Sequence, residues 1–390
     1  MEPPPPPPRP PPALPDELVE EILIRSPPDD PASLVRAALV CKRWCRLVSG
    51  AGLRRRFIQI HRAPPMLGFL FGTRSRTRFV PTSTFRPRPP HGGGSFWRAW
   101  RPIDARHGRV LLHGIGSKPG EPIGDLFAVW DPITGDLRDV PTPREYLKLR
   151  CWTAAVLCAA AGGACDHLDC HCGSFQVVIV GCDDHEQTDA CIYSSVTGAW
   201  RQPAFSQLQH HGAFLYMEAA SAFVSNTLYF VFGAGSNLLE YNVASQEMSV
   251  IDLPPAYSGQ YVGCITTEDG RLGFATAEYS KLYWWSREAG HDGDDGWTKT
   301  RVIELEKLVP ADAHFSISLQ LVGFADGVGV LFVVTGDRLF TIDLKSNQVK
   351  KVCNVTDICT SNIFPYMSFF TPAPPVASMG EGPRAASSSA

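Results

Sequence analysis

Five soft or borderline metal ligands fall within eight residues: Cys165, His167, Cys170, His171 and Cys172. Thiolate and imidazole are the donors that a tetrahedral zinc site uses. The spacing matches no established zinc module, and a second ligand pair about 12–20 residues away is absent. Cys158, Cys182 and His185 are the only reserves nearby. Cys165, His167, Cys170 and Cys172 are therefore the candidate metal ligands. The expectation set against them, and favoured, is a polar inter-strand loop with reduced thiols, with no bound metal and no cofactor.

A second concentration is cationic. Thirteen arginines lie between Arg54 and Arg109, with Asp104 the one acid among them. Such a stretch suits an acidic partner, a phosphate or a nuclear-import signal, and equally a solvated loop around Pro87 to Gly94. Catalytic motifs are missing: there is no G-x-S-x-G elbow, no P-loop and no H-E-x-x-H. No nucleophile, base and orienter can be assembled, so the chain is not expected to be an enzyme. Trp130 and Trp284 recur near one repeat position and are expected to pack between repeats rather than line a ligand mouth.

Composition bounds the partners. The formal net charge is −3 over 390 residues, which gives no global pull toward nucleic acid or a membrane surface. No apolar run approaches the ~20 residues of a membrane span. The start, Met1-Glu2 and then a proline run, lacks the basic and apolar regions of a secretory signal. A location in the cytoplasm, the nucleus or both is expected, with the 12 cysteines mostly reduced.

Two textures must position these residues. Residues 1–13 read as an unfolded proline-rich tail. Helical periodicity follows in 14–57: Leu18, Val19, Ile22 and Leu23 share a face, Pro27-Pro28 stops it, and Asp30-Pro31 restarts a helix. Leu34, Val35, Ala38 and Leu39 make the next face, and Val40, Trp44, Leu47 and Val48 continue it. Leu53 to Phe57 suggests a last turn. Three short helices in this span exceed in apolar residues what their own core can hide, which points to a partner. Lys42, Arg43 and Arg46 would suit a DNA-reading helix, but the apolar surplus favours protein docking.

Beyond Phe57, short β-branched and aromatic runs alternate with turn residues. Ala154 to Ala161 reads as strand plus loop. A degenerate repeat aligns Asp131, Tyr193 or Ser194, Asn242 and Asp343 at the start of turns that carry Gly, Gln or Asn near the tip. Five units fit between Arg109 and Val355, Met66 to Val80 supplies a sixth, and Ile363 to Phe370 is a lone strand that closes a ring. The fold class expected is mainly β: a three-helix module and then a β-propeller-like domain of about six blades. The divisions are 14–57, a basic linker with first strands at 58–107, the propeller at 108–371 and an unfolded tail at 372–390.

The helical segment resembles an F-box. The matching residues are Leu14-Pro15-Asp16-Glu17-Leu18-Val19-Glu20-Glu21-Ile22-Leu23, Ala38-Leu39-Val40-Cys41-Lys42-Arg43-Trp44 and Leu47. The whole chain is similar to the plant F-box family of the grass type that carries a β-rich associated domain. The resemblance implies a non-catalytic substrate receptor of a Skp1–cullin–F-box ubiquitin ligase. Its partners would be a Skp1-like protein, a cullin through Skp1, and a protein substrate. Carried onto this chain, the Skp1-binding residues are Leu14, Pro15, Leu18, Ile22, Leu39, Val40, Cys41 and Trp44, some of them core and some contact. Loops 87–107, 162–174 and 286–297 are the expected substrate contacts. The alternatives are an F-box scaffold acting outside a ligase and a metal-dependent propeller hydrolase.

Overall fold

A computed structural model describes residues 14–73, 76–90, 100–114, 127–160, 165–168, 170–185, 187–201, 208–209, 221–232, 237–254, 262–267, 269–278, 280–288, 296–308, 319–336, 338–354 and 362–372. The expected tail at 1–13 and, apart from Pro372, the expected tail at 372–390 lie outside these residues. The chain divides into two compact units, one running through His61 and including the residues from Phe370 onward, and one from Arg62 to Phe369.

The first unit holds four helices, not three: α1 (Asp16–Leu23), α2 (Pro31–Val40), α3 (Lys42–Val48) and α4 (Ala51–His61). The run from Leu34 through Val48 is broken at Cys41, whose backbone is extended. The Cys41 sulfur then accepts the Trp44 N–H at 3.5 Å and caps α3. The last turn at Leu53–Phe57 is part of an eleven-residue helix. Its Leu53, Phe57 and Ile58 complete a core with Val19, Leu23, Ile24, Leu34, Ala37 and Val48. In α2, Ala37 faces inward while Leu39 faces solvent, so the predicted stripe is rotated.

The second unit is a six-bladed β-propeller among the described residues. β1 (Met66–Gly72) and β2 (Thr77–Pro81) open it. Then come β3 (Trp100–Arg106), β4 (Arg109–Gly114), β5 (Phe127–Trp130) and β6 (Leu137–Val140). The next blade has β7 (Leu149–Cys158), β8 (Phe175–Asp183), β9 (Gln187–Ser194) and β10 (Ala199–Arg201), with β11 (Leu208–Gln209) paired to β9. Three four-stranded sheets follow. The first is β12 (Ala222–Val224), β13 (Thr227–Phe232), β14 (Asn237–Asn242) and β15 (Met248–Asp252). The second is β16 (Val262–Thr266), β17 (Leu272–Glu278), β18 (Lys281–Glu288) and β19 (Gly296–Glu304). The third is β20 (Leu319–Ala325), β21 (Val330–Thr335), β22 (Arg338–Asp343) and β23 (Val349–Asn354). Finally β24 (Phe364–Met367) pairs antiparallel with β1, so the last strand closes the ring on the first.

Middle strands are buried on both faces because each blade packs against its neighbours. That is why Thr227–Phe232 reads as an unbroken apolar run. Outer strands such as β10 and β19 are mostly exposed. The core lies between blades: Leu282 and Ile303 meet Leu331 and Ile342 in one cluster, and Val178 and Ile192 meet Leu228 and Leu239 in another. Trp284 packs edge-on against Phe324 of the next blade, with ring centroids 5.1 Å apart. Trp130 is fully buried and donates its indole N–H to the Arg88 carbonyl at 3.1 Å.

The repeat has one turn geometry. Asp131, Ser194, Asn242 and Asp343 each turn a side-chain oxygen onto backbone N–H groups ahead of them, as Asp343 does for Lys345 and Ser346 at 2.8 and 2.9 Å. Gly135, Gly198, Gln246 and Asn347 then take positive φ. The aligned position in the second copy is thus Ser194 rather than Tyr193.

The boundary expected at 107/108 falls on the two-residue turn joining β3 to β4. His107 and Gly108 both have positive φ there, as a type I′ hairpin requires. The described residues between 58 and 107 finish α4 and supply the first strands, β1, β2 and β3.

Candidate functional site

On the helical unit, all eight residues carried over from the resemblance lie outside the core. Leu14, Leu18, Ile22, Leu39 and Val40 are 49, 51, 57, 79 and 63% exposed. Pro15 and Cys41 are also exposed, and Trp44 is half-buried. The helix period sorts them: Val19 and Leu23 turn inward, while Leu18 and Ile22, one residue earlier in each turn, turn outward. Arg43 organises the lead-in. Its guanidinium bonds Asp16 Oδ1 at 2.6 Å and the Leu14 carbonyl at 2.7 Å, which ties the Leu-Pro segment to α3. Arg56 pairs with Glu20 at 3.0 Å and with Glu21, holding α4 to α1. Lys42, Arg43 and Arg46 therefore do not act as one basic stripe, because Arg43 already has partners.

On the propeller, one face carries the turns between first and second strands. A cavity of about 900 Å³ opens there, bordered by Arg106, Phe223, Arg271, Glu288, Arg301 and Asp326. Asp326 accepts from the Thr266 N–H at 3.1 Å and the Thr266 hydroxyl at 3.3 Å. A neighbouring cavity of about 260 Å³ is bordered by Asp104 to Gly108 and by Asp166, His167, Leu168, Cys170 and His171. Of the three ranges expected to contact substrate, Asp104 to His107, the segment around Asp166 to His171, and Ser286 with Glu288 thus border adjoining cavities. Residues 91–99, 162–164, 169 and 289–295 of those loops lie outside the described residues.

The Cys/His stretch divides in two. Cys165, His167 and Cys170 meet Cys158, at the end of β7, with their ligand atoms all within 4.8 Å of one another. Cys172 is not in that set: it belongs with Asp131 and His171, where His171 Nδ1 lies 2.7 Å from Asp131 Oδ2 in a buried pair. Hydrogen bonding to His171 holds the Asp131 carboxyl below its usual range, against the opposing push of burial. Cys182 and His185 stand apart, and the Cys182 thiol contacts the Thr188 hydroxyl at 3.2 Å.

Three groups that position this loop were not singled out from sequence. Arg109 is buried, and its guanidinium donates to the carbonyls of Cys170 and Gly173, the latter at 2.9 Å. Asp104 is buried and accepts the Val156 N–H at 2.8 Å; desolvation raises its carboxyl despite Arg106 nearby. His107 accepts the Cys158 N–H on Nδ1 at 3.2 Å, and burial, with His167 and two arginines near, pushes its pKa well below 6.5. The only signal was the arginine-rich composition of 54–109, which hid that Arg106 and Arg109 serve internal carbonyls. Burial also pushes the Cys170 thiol up to about 12, with the Cys158 thiol beside it adding to the shift.

An F-box-like helical module and a six-bladed propeller define the class of the protein. The family of "F-box protein AT5G49610-like, beta-propeller" matches residues 103–373, and an F-box-like family matches residues 12–59. The chain belongs to the former family. No curated protein matches the chain significantly. Among solved structures, the extracellular domain of the one-component system BT4673 from B. thetaiotaomicron is 12% identical with a TM-score of 0.35, over 70% of this chain and 30% of that one. The WD40 domain of SCAP from fission yeast is 10% identical with a TM-score of 0.36, over 65% and 55%. YCF48 bound to D1 peptide is 10% identical with a TM-score of 0.36, over 77% and 84%. The chain thus spans 30 and 55% of the first two. Among the described residues, no helix is long and apolar enough to cross a membrane.

Proposed function

We propose that the chain is the substrate-recognition adaptor of a Skp1–cullin–F-box ubiquitin ligase. The observation that carries this reading is the apolar face of Leu14, Leu18, Ile22, Leu39 and Val40, left outside a core that is already filled by other residues. A helical module with such a face gains by laying it on another helical surface. The Skp1-like partner binds here, a cullin joins through Skp1, and the propeller face presents a protein target. The chain performs no bond chemistry. It holds a target lysine near a charged ubiquitin-conjugating enzyme and so raises their effective concentration. It works in the cytoplasm, the nucleus or both.

The test is capture of Skp1 and cullin by the purified chain and by a Leu14→Ala, Pro15→Ala double variant. The reading expects both partners with the wild type and a large loss of both with the variant. Full-strength capture by the variant would mean that the docking face is wrongly assigned. Skp1 captured without any cullin would point to a role outside the ligase.

A further inference from the structure

We propose that Cys158, Cys165, His167 and Cys170 form a closed, structural zinc site that pins the β7–β8 connection. The four donor atoms come from two places, one from the end of β7 and three from the loop, in a Cys-x-His-x-x-Cys order. They converge to within 4.8 Å of one another. A tetrahedral zinc ion with bonds of about 2.0–2.3 Å needs donors roughly 3.3–3.8 Å apart. The His167 Nδ1 to Cys170 Sγ distance is already 3.9 Å. Seating the ion therefore takes side-chain adjustments of about an ångström or less, without rebuilding the backbone.

Two donors already face the sulfurs. The His167 backbone N–H points at Cys165 Sγ from 3.4 Å, and the Arg109 guanidinium lies 3.9 Å from Cys170 Sγ. Three thiolates and a neutral imidazole leave a zinc centre with a net charge of about −1. Arg109 supplies the complement: it is 1% exposed, and its hydrogen bonds run to carbonyl oxygens and the Cys170 sulfur. The ligands are also oriented from behind, as metal ligands generally are. The His167 ring stacks on His107 at 4.1 Å between centroids, and His107 Nδ1 accepts the Cys158 N–H.

Four protein donors leave no open position, so the ion holds structure rather than activating water. It fixes the loop that borders the 260 Å³ cavity against the β3–β4 turn. Cys172, exposed and outside the set, is the internal control.

The experiment uses the full chain purified under reducing conditions without added metal. Zinc is counted by elemental mass spectrometry, and the metal is then exchanged for Co(II). The expected result is about one zinc per chain, with the visible bands and near-ultraviolet thiolate charge transfer of a tetrahedral Co(II) site. Cys158→Ser and Cys170→Ser each lose the stoichiometric ion, while Cys172→Ser keeps it. Should the serine variants fail to fold, X-ray absorption on the wild type decides: three sulfurs and one nitrogen around zinc support the site, and any other donor set overturns it. A metal-free chain that gives no Co(II) bands overturns it, as does a Cys158–Cys170 disulfide in the reduced preparation. Zinc retained by Cys158→Ser and lost by Cys172→Ser also overturns it.

Discussion

Replacing Leu18 and Leu39 together by alanine isolates docking from folding, because neither side chain belongs to the core. A Leu→Ala change removes roughly three carbon groups, each contributing about 0.8 kcal/mol when it leaves water. Leu39 is 79% exposed, so closing a partner over it withdraws up to about 2 kcal/mol of burial from the variant. Leu18, at 51%, adds about 1 kcal/mol. Together they predict a loss of Skp1 affinity on the order of a hundredfold. The measurement is a calorimetric titration of purified Skp1 into wild type and double variant, with thermal melts alongside. The melts are expected to coincide, since exposed substitutions away from special features stay within about 0.5 kcal/mol. Val19→Ala gives the contrast: it is 1% exposed, so it lowers stability while leaving the outward face in place. An unchanged Skp1 affinity in a folded double variant would refute the assignment of this face. A falling melting temperature would refute the division between core and contact residues.

Three further outcomes test the propeller. His113 is held neutral, its pKa lowered to about 4 by burial and by Arg101, and burial also pushes His107 well below 6.5. The unfolded chain therefore binds more protons below pH 6.5, so stability is complete above that value and falls toward pH 4. For His113 the loss reaches about 3 kcal/mol, and denaturant melts at pH 7.5 and 5 should show a drop that His113→Gln reduces. Asp343→Ala removes the acceptor of two turn N–H groups and should cost about 1–2 kcal/mol in the same melts, with Asp343→Asn losing much less. Tyr366→Phe leaves the Gly108 carbonyl without its buried donor at 3.1 Å and should lower stability by about 1–2 kcal/mol in denaturant titrations.

Local physics made the frame legible. Turn residues at a fixed register, unbroken apolar runs and a stray last strand are nearest-neighbour signals, and they gave six blades and a closure of β24 on β1. The helical unit was legible in content but not in its sorting. An apolar residue in a helix looks the same whether it faces a core or a partner, and the split between Val19, 1% exposed, and Leu18, 51% exposed, emerges only in the fold. The break at Cys41 was hidden because apolar periodicity continues across it, while the extended residue that interrupts the helix carries no proline or glycine. The Cys/His set was half legible: three donors are close in sequence, whereas Cys158 sits on the far side of a strand end and enters through the fold.

The β3–β4 turn links the closure of the ring to the placement of that loop. Tyr366, on the closing strand, donates to the Gly108 carbonyl. Gly108 takes φ +72, and a Cβ there would lie 2.7 Å from the His171 Cβ and 3.2 Å from the Ser368 hydroxyl. One glycine is thus flanked by the closing segment on one side and by the Cys/His loop on the other. Any side chain would have to displace one of them, and its φ is one that L residues rarely adopt. The next residue, Arg109, extends from the same turn into the carbonyls of Cys170 and Gly173. The arginine-rich stretch thus contributes to a junction rather than to a free basic surface here. The loop bordering the cavity and the strand that closes the ring therefore meet at the same turn, so a change at Gly108 acts on both.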